Sequence, residues 1–287
     1  MFLALIASVS LHLAAAGAAL PAGSGSARAN TTPNSSWQQV SARDSASYDE
    51  DAERELLEKA NADRTRAGLP PLRMDDGLVR AARAHAAEMA AQKHISHQFS
   101  GEPSLINRIA AVSDLHLERA GENVAEAANA DDAHEALMAS PPHRDNLLSA
   151  NFNVVGIGVF RSGHVIYVAQ DFGTSMAMYS AQQAAQMVAA AIEQSRMRAH
   201  LLELELVDHV GVQSSACAMA TADSLHAATP DPGVYMLRYT TMAPQAIPSE
   251  ASEVISKRAM RSFAVGACYA RTHNYPNGAY WVVVEFY

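Results

Sequence analysis

The sequence predicts an α+β fold laid out twice, with helices first and a strand pair last in each half. Three observations carry this reading. Between residues 50 and 140, apolar side chains recur at spacings of three and four, the period of a buried helix face. Strand-length apolar runs close each half, at 154–160 with 164–172 and at 263–269 with 279–286. An ungapped offset of 132 residues then sets Leu69, Leu72, Met74, Asp76, Leu78 and Ala84 on Leu201, Leu204, Leu206, Asp208, Val210 and Ala216.

The elements follow in order. Ser47 and Glu50 have capping-box spacing, and Leu56, Leu57 and Ala60 begin an apolar stripe. That helix stops at Gly68, ahead of Pro70 and Pro71. Asp75 or Asp76 caps a second helix over 77–93, whose face runs Leu78, Ala82, His85 and Met89. His85 is therefore expected as a hydrogen-bonded core histidine. Residues 104–112 and 131–139 read as third and fourth helices. Ser140 then caps a new turn opened by Pro141 and Pro142, which places His143 at its start. Ser162-Gly163 turns the first strand pair. In the second half, residues 181–199 are expected as a helix and Asn277-Gly278 as a hairpin turn.

The ends and the bulk composition set the compartment. Residues 1–20 are apolar and rich in small residues, and read as a signal peptide without its basic region. A membrane anchor is the alternative, though the stretch is short and Ala-rich. Residues 21–46 read as a disordered Ser/Ala/Asn/Gly linker, and Asn30 and Asn34 match the N-glycosylation pattern. The formal net charge is −9 with no basic block, which argues against a nucleic-acid or anionic-membrane partner reached through charge. Two cysteines, Cys217 and Cys268, exclude a disulfide-dense scaffold and a Cys-rich zinc module. They form either one disulfide or two buried thiols.

Five short motifs stand in order over the first half: Ile95-Ser96-His97, Gly121-Glu122-Asn123, Leu137 through Ser140-Pro141-Pro142-His143-Arg144-Asp145-Asn146, Gly156-Ile157-Gly158, and Gln170-Asp171-Phe172-Gly173. In these motifs the chain resembles the CAP superfamily, in its bacterial branch of SCP-like extracellular proteins. The resemblance implies a three-layer α-β-α sandwich over residues 47–175. With the internal offset, residues 176–287 read as a degenerate CAP-like α+β half, an unrelated α+β domain being the alternative. The resemblance also implies a cleft formed by His97, Glu122 and His143, with Asn123 and Ser140 beside them. The family's second cleft glutamate is Ser140 here, and its tryptophan is Leu137.

Two imidazoles and a carboxylate can hold zinc or another divalent cation with one position open, or act as an acid/base set without metal. They can equally hydrogen-bond one another and brace the fold. No residue is assigned as catalytic, because no nucleophile, Gly-x-Ser-x-Gly elbow or His-Glu-x-x-His occurs near the histidines. The reading that follows is a secreted or periplasmic, non-enzymatic binder of a lipid, small molecule or envelope ligand. A metal-assisted hydrolase using His97, Glu122 and His143 is the rival, and a structural envelope protein the third reading. At the offset of 132, His85 falls on Cys217 and His97 on Thr229, and the segment opposite Glu122 lies within 234–241. By that comparison the second half keeps core positions and loses the cleft residues.

Overall fold

A computed structural model describes residues 48–229 and 234–287, which divide into two compact units, one ending at Ser175 and one beginning at Met176. The expected signal peptide, linker, glycosylation motifs and Ser47 lie outside the described residues.

The first unit contains helices α1 (Glu50–Arg66), α2 (Asp76–Gln92), α3 (Leu105–Val112), α4 (Ala130–Ala139) and α5 (Pro141–Leu147). Its strands are β1 (Arg73–Met74), β2 (His116–Ala127), β3 (Val154–Ser162) and β4 (Val165–Met176), in the order β1-β3-β4-β2. β1 runs parallel to β3, and β3 antiparallel to β4 with Val155 opposite Phe172.

Strand alternation sorts side chains to two faces. Val155, Ile157, Val159, Ile166, Val168 and Phe172 pack with Leu56 and Ala60 of α1 and Ala133 and Leu137 of α4. Tyr167 and Ala169 pack with Ala82, Ala86 and Met89 of α2. The result is the three-layer α-β-α sandwich. Gly156 and Gly158 explain how closely α2 lies on β3. A Cβ at Gly156 would stand 2.0 Å from the Leu78 carbonyl carbon, and one at Gly158 2.2 Å from the Arg83 nitrogen.

The second unit contains α6 (Ala181–Arg198), α7 (Val210–Ala222) and α8 (Ser252–Ile255), with β5 (Glu205–Leu206), β6 (Tyr235–Thr241), β7 (Ser262–Ala270) and β8 (Ala279–Phe286). Its sheet order, β5-β7-β8-β6, repeats that of the first, as does the pairing of a parallel two-residue strand with an antiparallel hairpin. Buried residues correspond closely. Ala52, Leu56, Ala60 and Leu72 in one core take the places of Ala184, Val188, Ile192 and Leu204 in the other. A buried arginine does the same work in both units. Arg64 donates to the carbonyls of Pro70, Leu147, Ser149 and Phe152, and Arg196 to those of Leu202, Ile255 and Lys257.

Two sequence expectations need correction, the cap of α1 and the offset along α2, and two further elements are defined by the structure. Asp49 caps α1, its side chain accepting from the Ala52 N–H at 3.0 Å. Strand β2 lies in a stretch for which no strand was expected, its polar residues masking the pattern. The expected hairpin is present, and Asn277-Gly278 ends its eight-residue connection, 271–278. Finally, the offset of 132 holds for α1 and β1 but is 130 along α2. There Ala82, Ala86, Met89 and Ala90 match the buried Val212, Ala216, Met219 and Ala220, and the left-handed caps Lys93 and Asp223 coincide. Gly158, seated on Ala82–Arg83, likewise matches Gly266, seated on Val212–Gln213. His85 therefore corresponds to Ser215, and the cysteine comparison drawn from sequence falls away.

Candidate functional site

β2 is an outer strand of its sheet, and the cleft residues gather at that edge. Alternation sends the adjacent Glu122 and Asn123 to opposite faces. Glu122, buried on the α2 face, accepts from the Arg108 guanidinium at Oε2 and lies 2.9 Å from His97 Nδ1 at Oε1. Arg108 comes from α3, where it stands next to the buried Ile109, and it is fully buried. It also donates to the His97 carbonyl at 3.1 Å, fixing the loop that carries the imidazole. The His97 side chain is 61% exposed, so the ring is anchored at one nitrogen and presented to solvent.

On the other face, the Asn123 amide donates to the His143 carbonyl at 3.1 Å and to Gln170 Oε1 at 3.2 Å. Asn146 donates to Asn123 Oδ1 at 2.9 Å and to the Glu122 carbonyl at 3.3 Å. Short helix α5 is thereby tied to the same two residues of β2, with Arg144 donating to the Met138 carbonyl behind it. Burial, and then the nearby charge of His97, hold the His143 imidazole below its ordinary value. Ser140 occupies the N-cap of α5, but its hydroxyl makes no capping bond.

Sequence reasoning missed the charged floor of the site. His85 is fully buried, with Nδ1 2.7 Å from Glu102 and Nε2 2.8 Å from the Ser96 carbonyl. Both ring nitrogens thus face acceptors, and the histidine fills the core role expected of it. Burial pushes the Glu102 carboxyl up, but His85, the Phe99 N–H and Arg108 outweigh it and hold the group below its usual range. Asp171, on β4, is fully buried beside Glu122, and desolvation, then the Glu122 charge, raise its carboxyl well above the ordinary value. Two signals could have found this floor. Arg108 interrupts an apolar stripe of Leu105, Ile109 and Val112, and Asp171 is a charged residue directly after the apolar run 165–169 and Gln170.

The arrangement anchors one exposed imidazole and one neutral-leaning imidazole on a rigid, charge-balanced base. Glu122 does not fit as a direct metal ligand, because both of its oxygens are committed to Arg108 and His97. Among the described residues, no group of three or more His, Cys, Asp or Glu side chains is arranged to hold a metal ion. In the second unit, Cys217 on α7 and Cys268 on β7 are disulfide-bonded, with Cα atoms 5.1 Å apart. Among the described residues, no helix is long and apolar enough to cross a membrane.

Residues 57–172 match the family model described as CAP, the cysteine-rich secretory protein family. The uncharacterized protein YkwD of Bacillus subtilis (strain 168) is 32% identical over 114 residues, which are 39% of this chain and 44% of that protein. The chain therefore spans less than half the length of that relative. An extracellular protein containing a SCP domain from Bacillus anthracis is similar at 25% identity over 44% of this chain and 41% of that one, with a TM-score of 0.41. An outer surface protein from Borrelia burgdorferi is similar at 18% identity over 44% of this chain and 94% of that one, also with a TM-score of 0.41.

Proposed function

Because this chain carries a CAP domain over residues 57–172, we propose that it is exported and works outside the cytoplasm as a binding protein rather than an enzyme. The binding face is the pair His97 and His143, supported by Glu122, Asn123 and Ser140 at the edge of β2. One observation carries this reading. Glu122, the group best suited to acid/base work, is buried and held by Arg108, so what meets solvent is an imidazole anchored at one nitrogen. Such a face suits a hydrogen-bonding headgroup or small polar ligand. In this reading, residues 1–20 are the export signal, 21–46 the linker, 47–175 the binding domain, and 176–287 a faded copy retained for packing or binding. Support for the copy comes from the shared strand order and the matched buried arginines.

The test is incubation of the full chain with peptide and glycan substrates, read by mass spectrometry. No turnover is expected in the unmutated chain or in His97→Ala. Turnover that disappears in His97→Ala would overturn the proposal.

A metal-assisted hydrolase is the second reading, favoured by the way Glu122 orients His97. A carboxylate on Nδ1 leaves Nε2 directed outward, as in the outer shell of many metal sites. The two imidazoles would then be the protein's ligands for zinc, with Glu122 behind them. Zinc in the purified protein, lost in His143→Ala, would support it.

A further inference from the structure

The Cys217–Cys268 disulfide lies in the second unit, outside the residues assigned to binding. Both cysteines are partly exposed, and they line an open pocket of about 370 Å³ together with Thr221, Asp223, Arg271 and His273. Three features bear on what this bond does.

First, the first unit builds the same helix–strand contact with no such bond. Cys217 and Cys268 correspond to Ala87 on α2 and Phe160 on β3, so the first unit seats the same helix on the same strand without a covalent link. Second, the second unit has a noncovalent fastening beside the bond. The Gln213 side chain donates to the Ala267 carbonyl at 2.9 Å and accepts from the Ala267 N–H at 3.2 Å, joining α7 to β7. Third, the same Gln213 amide points an N–H at Cys217 Sγ, 3.5 Å away. A donor aimed at one sulfur favours the thiolate that forms there.

We propose that the Cys217–Cys268 disulfide is a reducible staple, opened by a dithiol entering this pocket, with Cys217 as the sulfur that leaves. A thiolate of the dithiol attacks Cys268 Sγ; the S–S bond breaks and Cys217 departs as a thiolate facing the Gln213 amide. The second thiol of the reductant then displaces Cys268 from the mixed disulfide. The dithiol ends as a disulfide, and its two protons end on Cys217 and Cys268. Opening releases α7 from β7 at one point and leaves the Gln213 fastening in place.

The test uses the full chain, dithiothreitol without denaturant, alkylation and mass spectrometry. Both cysteines should become alkylated while the circular dichroism of the native protein is retained. Glutathione, a monothiol, should leave its mixed disulfide on Cys268 in the peptide map, and Gln213→Leu should slow opening severalfold. Alkylation that requires denaturant would overturn the proposal, as would a mixed disulfide on Cys217 or collapse of the native spectrum on reduction. The glutathione map is made on the unmutated chain, so it decides the case even if Gln213→Leu fails to fold.

Discussion

Glu122 and Asn123 are consecutive on β2, yet Glu122 binds His97 and Arg108 on one face of the sheet while Asn123 holds the His143 carbonyl on the other. The outer position of β2 lets both faces contribute to one edge. Loops far apart along the first unit are brought together by a single pair of residues.

Arg108 is the buried cation paired with both Glu122 and Glu102, and its charge also reaches Asp171. Arg108→Met should leave Glu122 with His97 alone and Glu102 with His85 and the Phe99 N–H, removing the buried guanidinium at a cost of about 3–5 kcal/mol. Urea unfolding monitored by circular dichroism reads this directly. A loss below about 1 kcal/mol would show that the network contributes little.

Asp171 gives a pH dependence of definite sign. Its carboxyl binds a proton more tightly in the folded state than in the unfolded chain, mainly through burial. The stability this contributes is complete below the unfolded value of about 3.9 and is lost as pH rises toward the folded value. Asp171→Asn should remove that part of the slope and gain relative to the unmutated chain as pH increases. Denaturant unfolding at several pH values would show parallel curves for the two proteins if this account is wrong.

His143 should titrate below the ordinary histidine value, through burial first and the charge of His97 second. His97→Ala removes the second cause, so the His143 value should rise without reaching the ordinary one. Histidine NMR titration measures both proteins. A fall, or no change, contradicts the proximity of the two rings.

Asn123→Ala should cut the tie between β2 and α5. Removing a buried amide that donates to two acceptors is expected to cost about 1–3 kcal/mol. Amide hydrogen exchange should quicken in α5 (Pro141–Leu147) while α2 stays protected.

Gly158→Ala should be among the most damaging small substitutions, since its Cβ would meet α2 backbone at 2.2 Å. Overpacking of this kind costs about 1–3 kcal/mol or more. Gly266→Ala should behave alike in the second unit, where the Cβ would meet the Val212 carbonyl oxygen at 2.2 Å. Thermal unfolding of the two variants compares them.

The sequence by itself determined the local elements. Helix faces with three- and four-residue spacing, an aspartate cap at Asp75 or Asp76, the proline-opened turn at His143 and the glycine-marked β3 are all written in short windows, because their causes act over a few residues. It also marked His97, Glu122 and His143, whose motifs are local. Tertiary structure decided what no window contains. Arg108 and Asp171 lie far apart along the chain, and their charges become meaningful only when β2, β4 and α3 enclose one volume. The offset of 130 along α2 was likewise invisible, since alanine-rich helices match one another in several registers. The contact of Gly158 with Arg83, mirrored by Gly266 with Gln213, fixes which register is real, together with the matched left-handed caps Lys93 and Asp223.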